Sequence, residues 1–159
     1  INPLNFYALS KATVDYWVLD NMDKFEQVQG FRYFNVYGEG EEHKGDQASP
    51  ISKFTLQAKQ NKVIKIFEES EYAFRDFVWV EDVVDVVLDN TAGSGIYDVG
   101  TGNPISFLEI AELIAKKEGA EIEVIPFPKH LEGKYQEYTC ADTSWHTHDY
   151  TEVKSYLQA

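Results

Sequence analysis

Asn5-Phe6-Tyr7-Ala8-Leu9-Ser10-Lys11 sets a tyrosine and a lysine four residues apart. On a helix that spacing puts both side chains on one face, about one turn apart. The ammonium of Lys11 then sits beside the phenol of Tyr7, and a nearby cation draws a phenol down from its free value near 10 toward the range where it exchanges a proton with a hydroxyl. The plainer reading of the same pair is an exposed lysine next to a packed tyrosine. Asn2 and Pro3 supply a helix start, Asn2 as a cap and Pro3 at a position where a missing N–H is harmless. The apolar spacing predicts one amphipathic helix from about Leu4 to about Lys24. Its buried side is expected to hold Tyr7, Leu9, Val14, Trp17, Val18 and Met22, and its wet side Asp20, Asp23 and Lys24.

Outward from that helix, Val28-Gln-Gly-Phe-Arg-Tyr-Phe-Asn-Val36 is rich in aromatic and β-branched residues and predicts a buried strand that stops at Tyr37-Gly38. In an open α/β sheet ligands lie at the carboxyl ends of strands, which places Asn35, Val36 and Tyr37 beside a substrate. Residues 38–50 are polar, glycine-bearing and too irregular for a regular element; loops of that length are often functional. A helix from Ile51 to about Lys59 carries Lys53 one turn in, where it faces the ligand. A strand is expected over Val63–Phe67, a helix over Val80–Leu88, a strand over Ile96–Gly100, a Ser106-capped helix to about Lys117, and a strand over Glu121–Ile125. Gly93, Gly95, Gly100 and Gly102 read as turn glycines, and no Gly-x-Gly-x-x-Gly follows a strand.

The chain of 159 residues has 14 basic and 27 acidic side chains and a net charge of −13. So acidic a chain is poorly suited to a nucleic-acid backbone, which needs a basic face that releases counterions. No apolar run has the length of a membrane span and no signal-peptide pattern is present, so no membrane partner is expected. The single cysteine, Cys140, excludes an internal disulfide and fits a reducing compartment; a cytoplasmic setting is expected. His146, His148 and Asp149 are clustered as metal ligands sometimes are. They read better as solvated side chains, and no metal is expected.

The string Pro3-Leu-Asn-x-Tyr-x-x-Ser-Lys11, the strand Gly30-Phe-Arg-Tyr-Phe-Asn-Val-Tyr-Gly38 and the segment Phe74-Arg-Asp-Phe-Val78 occur in an order that resembles the extended short-chain dehydrogenase/reductases, the NAD-dependent nucleotide-sugar epimerases and dehydratases. The tripeptide His43-Lys44-Gly45 is similar to one carried by the ADP-heptose 6-epimerase branch of that family. The resemblance covers residues 1 to about 142. It implies an α/β fold: the C-terminal part of a Rossmann-type doubly wound domain plus a small α/β substrate-binding domain. Residues 1–37 would be the last helix and strand of the first, whose N-terminal cofactor half is absent. Residues 38–159 would mainly be the second, with 74–100 partly returning to the Rossmann-type domain.

By the same resemblance Tyr7 is the acid/base, and Lys11 orients it and holds the nicotinamide ribose. Val36 lines the nicotinamide pocket. Asn35, Lys53, Phe67, Glu68, Ser70, Arg75 and Tyr135 hold the sugar nucleotide. Arg75 offers a planar fork of donors to a diphosphate; its alternative is an ion pair with Asp76 or a nearby glutamate. Lys44 would be a second acid/base, since inverting one carbon by oxidation and reduction exposes both of its faces, and a desolvated lysine can act as a base. Its alternatives are to balance the loop's acids Glu39, Glu41, Glu42 and Asp46 or to bind a phosphate. Where the family has a glycine, this chain has Glu69, which puts close backbone approach to the nucleotide in question. The implied activity is an isomerase: NADP-dependent interconversion of ADP-D-glycero- and ADP-L-glycero-manno-heptose, for lipopolysaccharide core heptose, by a homo-oligomer when full length. The NADP would be held mainly by the absent half, and residues 1–159 alone are expected to be inactive. The alternatives are another nucleotide-sugar 4-epimerase or dehydratase of the superfamily, or a fragment that only binds a sugar nucleotide.

Overall fold

The computed structural model describes residues 3, 5–129 and 136–158. Helix α1 runs over Phe6–Asp20 and is followed by a 3-10 turn at Met22–Lys24. Its cap is Asn5, not Asn2: the Asn5 side chain accepts the N–H of Ala8 at 2.8 Å, satisfying a donor that the first turn leaves unpaired. The expected buried stripe is not buried. Only Ala12 is enclosed, while Tyr7, Leu9, Val14 and Trp17 face outward. The described chain touches α1 chiefly at β6, defined below, so most of its apolar face has nothing to pack on.

The aromatic strand is two strands, β1 (Gln29–Tyr33) and β2 (Asn35–Tyr37). They part at Phe34, whose carbonyl accepts the N–H of Val36 at 2.9 Å in a three-residue turn. There the chain changes neighbours. β1 pairs in parallel with β6 (Gly95–Val99), and β2 pairs in parallel with β5 (Phe77–Trp79). The loop after β2 is not wholly irregular: two short 3-10 turns span Glu42–Gln47, meeting at Gly45 with φ 51°. Helix α2 (Pro50–Asn61) follows, with Ser49 as its cap and Pro50 in the first turn. Strand β3 (Val63–Phe67) pairs in parallel with β8 (Glu121–Ile125), and β4 (Phe74–Arg75) pairs antiparallel with β7 (Ile105–Ser106). Helices α3 (Val80–Asp89), α4 (Phe107–Glu118) and α5 (Val153–Gln158) complete the α/β arrangement.

The core forms where α2, α4 and α5 meet the strands: Ile51, Ala58, Ile64, Ile66, Phe77, Ile110, Ile114 and Leu157 are all buried. Along β3 the buried residues are Ile64 and Ile66, two apart, as a sheet covered on one face requires. α4 carries both of its end signals: Ser106 accepts the N–H of Glu109 at 3.1 Å, and Gly119 closes the helix at φ 61°.

One carboxylate ties the two halves of this frame together. Asp76, fully buried between β4 and β5, accepts the N–H and hydroxyl of Thr101 at 2.8 and 2.7 Å, the N–H of Gly102 at 2.8 Å and that of Ala141 at 2.9 Å. Four donors offset the loss of hydration that a buried charge suffers. Gly100 is glycine because a Cβ there would lie 2.7 Å from the Cβ of Ala141 and 2.8 Å from Oδ2 of Asp76.

Candidate active site

At one end of the frame stand Tyr7 and Lys11. Their spacing on α1 brings the Lys11 ammonium over the Tyr7 ring, 5.3 Å from its centroid, and Tyr7 is 72% exposed. An open phenol can pass a proton, and the ammonium one turn away can donate an N–H to a hydroxyl. Asn35 and Val36, both half-buried, occupy β2, where the N–H of Asn35 donates to the carbonyl of Asp76 at 3.0 Å.

Lys44 lies in the first 3-10 turn of the loop after β2, where its N–H donates to the Glu41 carbonyl at 2.9 Å. Its ammonium is 3.8 Å from the Glu41 carboxylate and its side chain is 43% exposed. Glu41 itself is buried. Neither Tyr7 nor Lys44 lines the cavity that lies beside α2 and β3.

A second locus is a cavity of about 480 Å³. Lys53, Phe67, Glu68 and Ser70, drawn from α2, the end of β3 and the turn after it, all line it, together with Glu69, Phe107 and Phe127. Phe67 and Phe127 meet edge to face at 5.7 Å between centroids, giving the cavity an aromatic wall. The Lys53 ammonium donates to the Asp46 carbonyl at 3.3 Å and so joins this cavity to the Lys44 loop. Ser70 is turned inward, donating its hydroxyl to the carbonyl of Phe67 at 2.6 Å. Glu69 has φ 64°, a left-handed conformation that glycine adopts freely and glutamate does not.

Arg75 is buried and spends its guanidinium on the chain: it donates to the carbonyls of Phe74 at 2.8 Å and of Gln136, and lies over the Phe107 ring at 5.6 Å. It therefore adjoins the cavity wall rather than lining it, and Asp76, the partner proposed for it, is taken up with Thr101, Gly102 and Ala141. Tyr135 lies outside the described residues. His146 bonds to the Tyr150 hydroxyl at 2.6 Å and His148 to Asp82 at 3.3 Å, so the two histidines turn to different partners. Among the described residues no three potential ligands are grouped as a metal needs. Burial, with Asp76 and Asp82 nearby, pushes the Tyr150 phenol up to about 12.

Three carboxylates carry more of the architecture than their sequence context suggests. Glu41, Asp76 and Asp82 are buried and receive backbone N–H groups from Ser49, Thr101 and Thr151 respectively. For Asp76 a signal was present, a lone acid inside the apolar run Phe74–Trp79; for Glu41, one of four acids in its loop, there was none.

Comparison with known proteins draws these features together. The chain is 47% identical over 147 residues to an ADP-L-glycero-D-manno-heptose-6-epimerase of Brachyspira hyodysenteriae, covering 88% of this chain and 46% of the relative. It is 44% identical over 152 residues to the enzyme of the same name from Alkalilimnicola ehrlichii, covering 89% and 48%. The crystal structure of the Helicobacter pylori ADP-L-glycero-D-manno-heptose-6-epimerase superposes with a TM-score of 0.80 at 28% identity, over 99% of this chain and 50% of that one. The chain thus spans about half the length of the curated relatives it matches. Residues 1–100 match the model of the NAD dependent epimerase/dehydratase family, with its nicotinamide cofactor and Rossmann-type fold, and the chain belongs to that family.

Proposed function

We propose that this chain is the substrate-handling half of an NADP-dependent ADP-heptose 6-epimerase that supplies heptose for the lipopolysaccharide core. The observation that carries the reading is its 47% identity over 147 residues to the Brachyspira enzyme of that name. On this reading residues 1–37 finish the Rossmann-type domain, residues 38–159 mainly form the substrate-binding domain, and residues 74–100 partly return to the first. The exposed Tyr7 and Lys11, side by side on α1, fit a nicotinamide riboside, with Lys11 on the ribose and Val36 against the ring. Held there, NADP would supply the hydride acceptor and donor for the reaction.

The residues of this chain manage protons and pose. One of Tyr7 and Lys44 accepts the hydroxyl proton as its carbon loses hydride, leaving a ketone. After the ketone turns its other face, the second returns a proton to the carbonyl oxygen as hydride re-enters on that side. The carbon is inverted and nothing is consumed. Lys53, Phe67, Glu68 and Ser70 hold the nucleotide sugar in the cavity they line; Asn35 and Tyr135 complete its contacts, and Arg75 backs the cavity wall through Phe107. In the natural full-length protein, ADP-D-glycero-manno-heptose should be converted to its L-glycero epimer, and Tyr7→Phe should lose at least about two orders of magnitude in kcat. Turnover of a hexose nucleotide at carbon 4, with none of the ADP-heptose, contradicts the reading.

A further inference from the structure

We propose that Glu41 is the positioning residue for Lys44: its buried carboxylate fixes the loop from which that lysine works. The inference rests on the role given to Lys44 above. Glu41 is only 5% exposed. One of its oxygens accepts the Ser49 N–H at 2.6 Å; the other accepts the Ser49 hydroxyl at 2.8 Å and the Gly38 N–H at 3.3 Å. Gly38 and Ser49 bracket the loop, so a single side chain closes the segment between β2 and α2 into a ring. Its own carbonyl holds the N–H of Lys44 at 2.9 Å.

Little else holds this loop. Every residue from Glu42 to Gln47 is exposed, whereas Glu41, Ala48 and Ser49 are buried. Gly45, directly after Lys44, has φ 51° and open space where a Cβ would lie. An exposed segment with so few packed contacts sits at the low end of local stability unless it is tied down. The tie is Glu41, helped by the contact of Lys53 with the Asp46 carbonyl. The carboxylate also chooses its partners: its short hydrogen bonds go to the loop ends, and its 3.8 Å contact with the half-exposed Lys44 ammonium is loose and solvent-screened. A substrate oxygen can therefore take that ammonium without unmaking the ring. This separates a positioning group from a counter-ion that would hold the lysine back.

The test uses the natural full-length protein. Glu41→Gln keeps the shape and loses one acceptor oxygen, and should lower kcat for epimerisation about tenfold or more, with KM for the ADP-sugar within about threefold of wild type. Amide exchange at Lys44 and Ser49 should quicken by about tenfold, with β3 amides unchanged. Glu41→Asp, which retains a charge but shortens its reach, should show the same split to a smaller degree and guards against a variant that fails to fold. Unchanged loop exchange, or wild-type kcat in both Glu41 variants while Lys44→Ala abolishes turnover, overturns the inference. Full turnover by Lys44→Ala is a different result: it removes the premise, and the role of Lys44 falls together with that of Glu41.

Discussion

Glu69 occupies a backbone position at φ 64° in the turn after β3 that lines the cavity of about 480 Å³, where family resemblance expects glycine. An L-residue held in the left-handed region is strained by roughly 1 kcal/mol. Glu69→Gly should therefore be neutral to stabilising by up to about 1 kcal/mol despite the entropy of an added glycine, as read by urea unfolding. Asp76 is the opposite case. Replacing it by Asn swaps one acceptor oxygen for an N–H group facing backbone donors, and should cost about 3 kcal/mol in the same measurement. His146 gives a pH dependence. Burial, then the neighbouring His148, hold its pKa below 6.5, so the folded chain favours the neutral ring. That contribution is complete above the unfolded value and is lost as pH falls through the folded one. The melting temperature should decline from pH 7 to about pH 5.5, and His146→Gln should flatten the decline. The Tyr7–Lys11 contact was readable from spacing alone, because four residues fix a shared helix face. The burial of Glu41 was not, since a carboxylate's environment depends on which N–H groups the tertiary fold brings to it.

At the scale of elements, the strands β3 and β8 and the helices α2 and α4 fall close to where the sequence predicts them, and the Ser106 cap was legible because it acts within one turn of itself. Ser106→Ala should accordingly destabilise the chain by about 1 kcal/mol. The break at Phe34 had no local signal. It follows from two partners, β6 and β5, each claiming a different stretch of one aromatic run, and partner choice is a property of the sheet. The exposure of α1 was illegible for the same reason: an amphipathic pattern says which face can be buried, not what lies against it. The Lys44 loop became 3-10 turns because Glu41 gathers its ends, a contact eight residues long in sequence.

At the scale of the molecule, the α/β class was legible because helices and strands alternate along the chain, and the chain belongs to the Rossmann-type NAD dependent epimerase/dehydratase family. The expected site residues fall at separate places: four line one cavity together, Tyr7 and Lys11 stand exposed on α1, and Lys44 stands on the loop after β2. The sequence of residues 1–159 contains no Gly-x-Gly-x-x-Gly to receive a pyrophosphate. Calorimetry on these residues should accordingly find no NADP binding tighter than about 100 μM, and a submicromolar Kd would contradict the division of labour proposed. The central claim is that two proton carriers from separate segments serve the two faces of one sugar carbon. It is tested most directly by the epimerisation rate of the natural full-length protein carrying Lys44→Ala. The account predicts a fall of about a hundredfold or more with the nucleotide sugar still bound; a rate equal to wild type would contradict it.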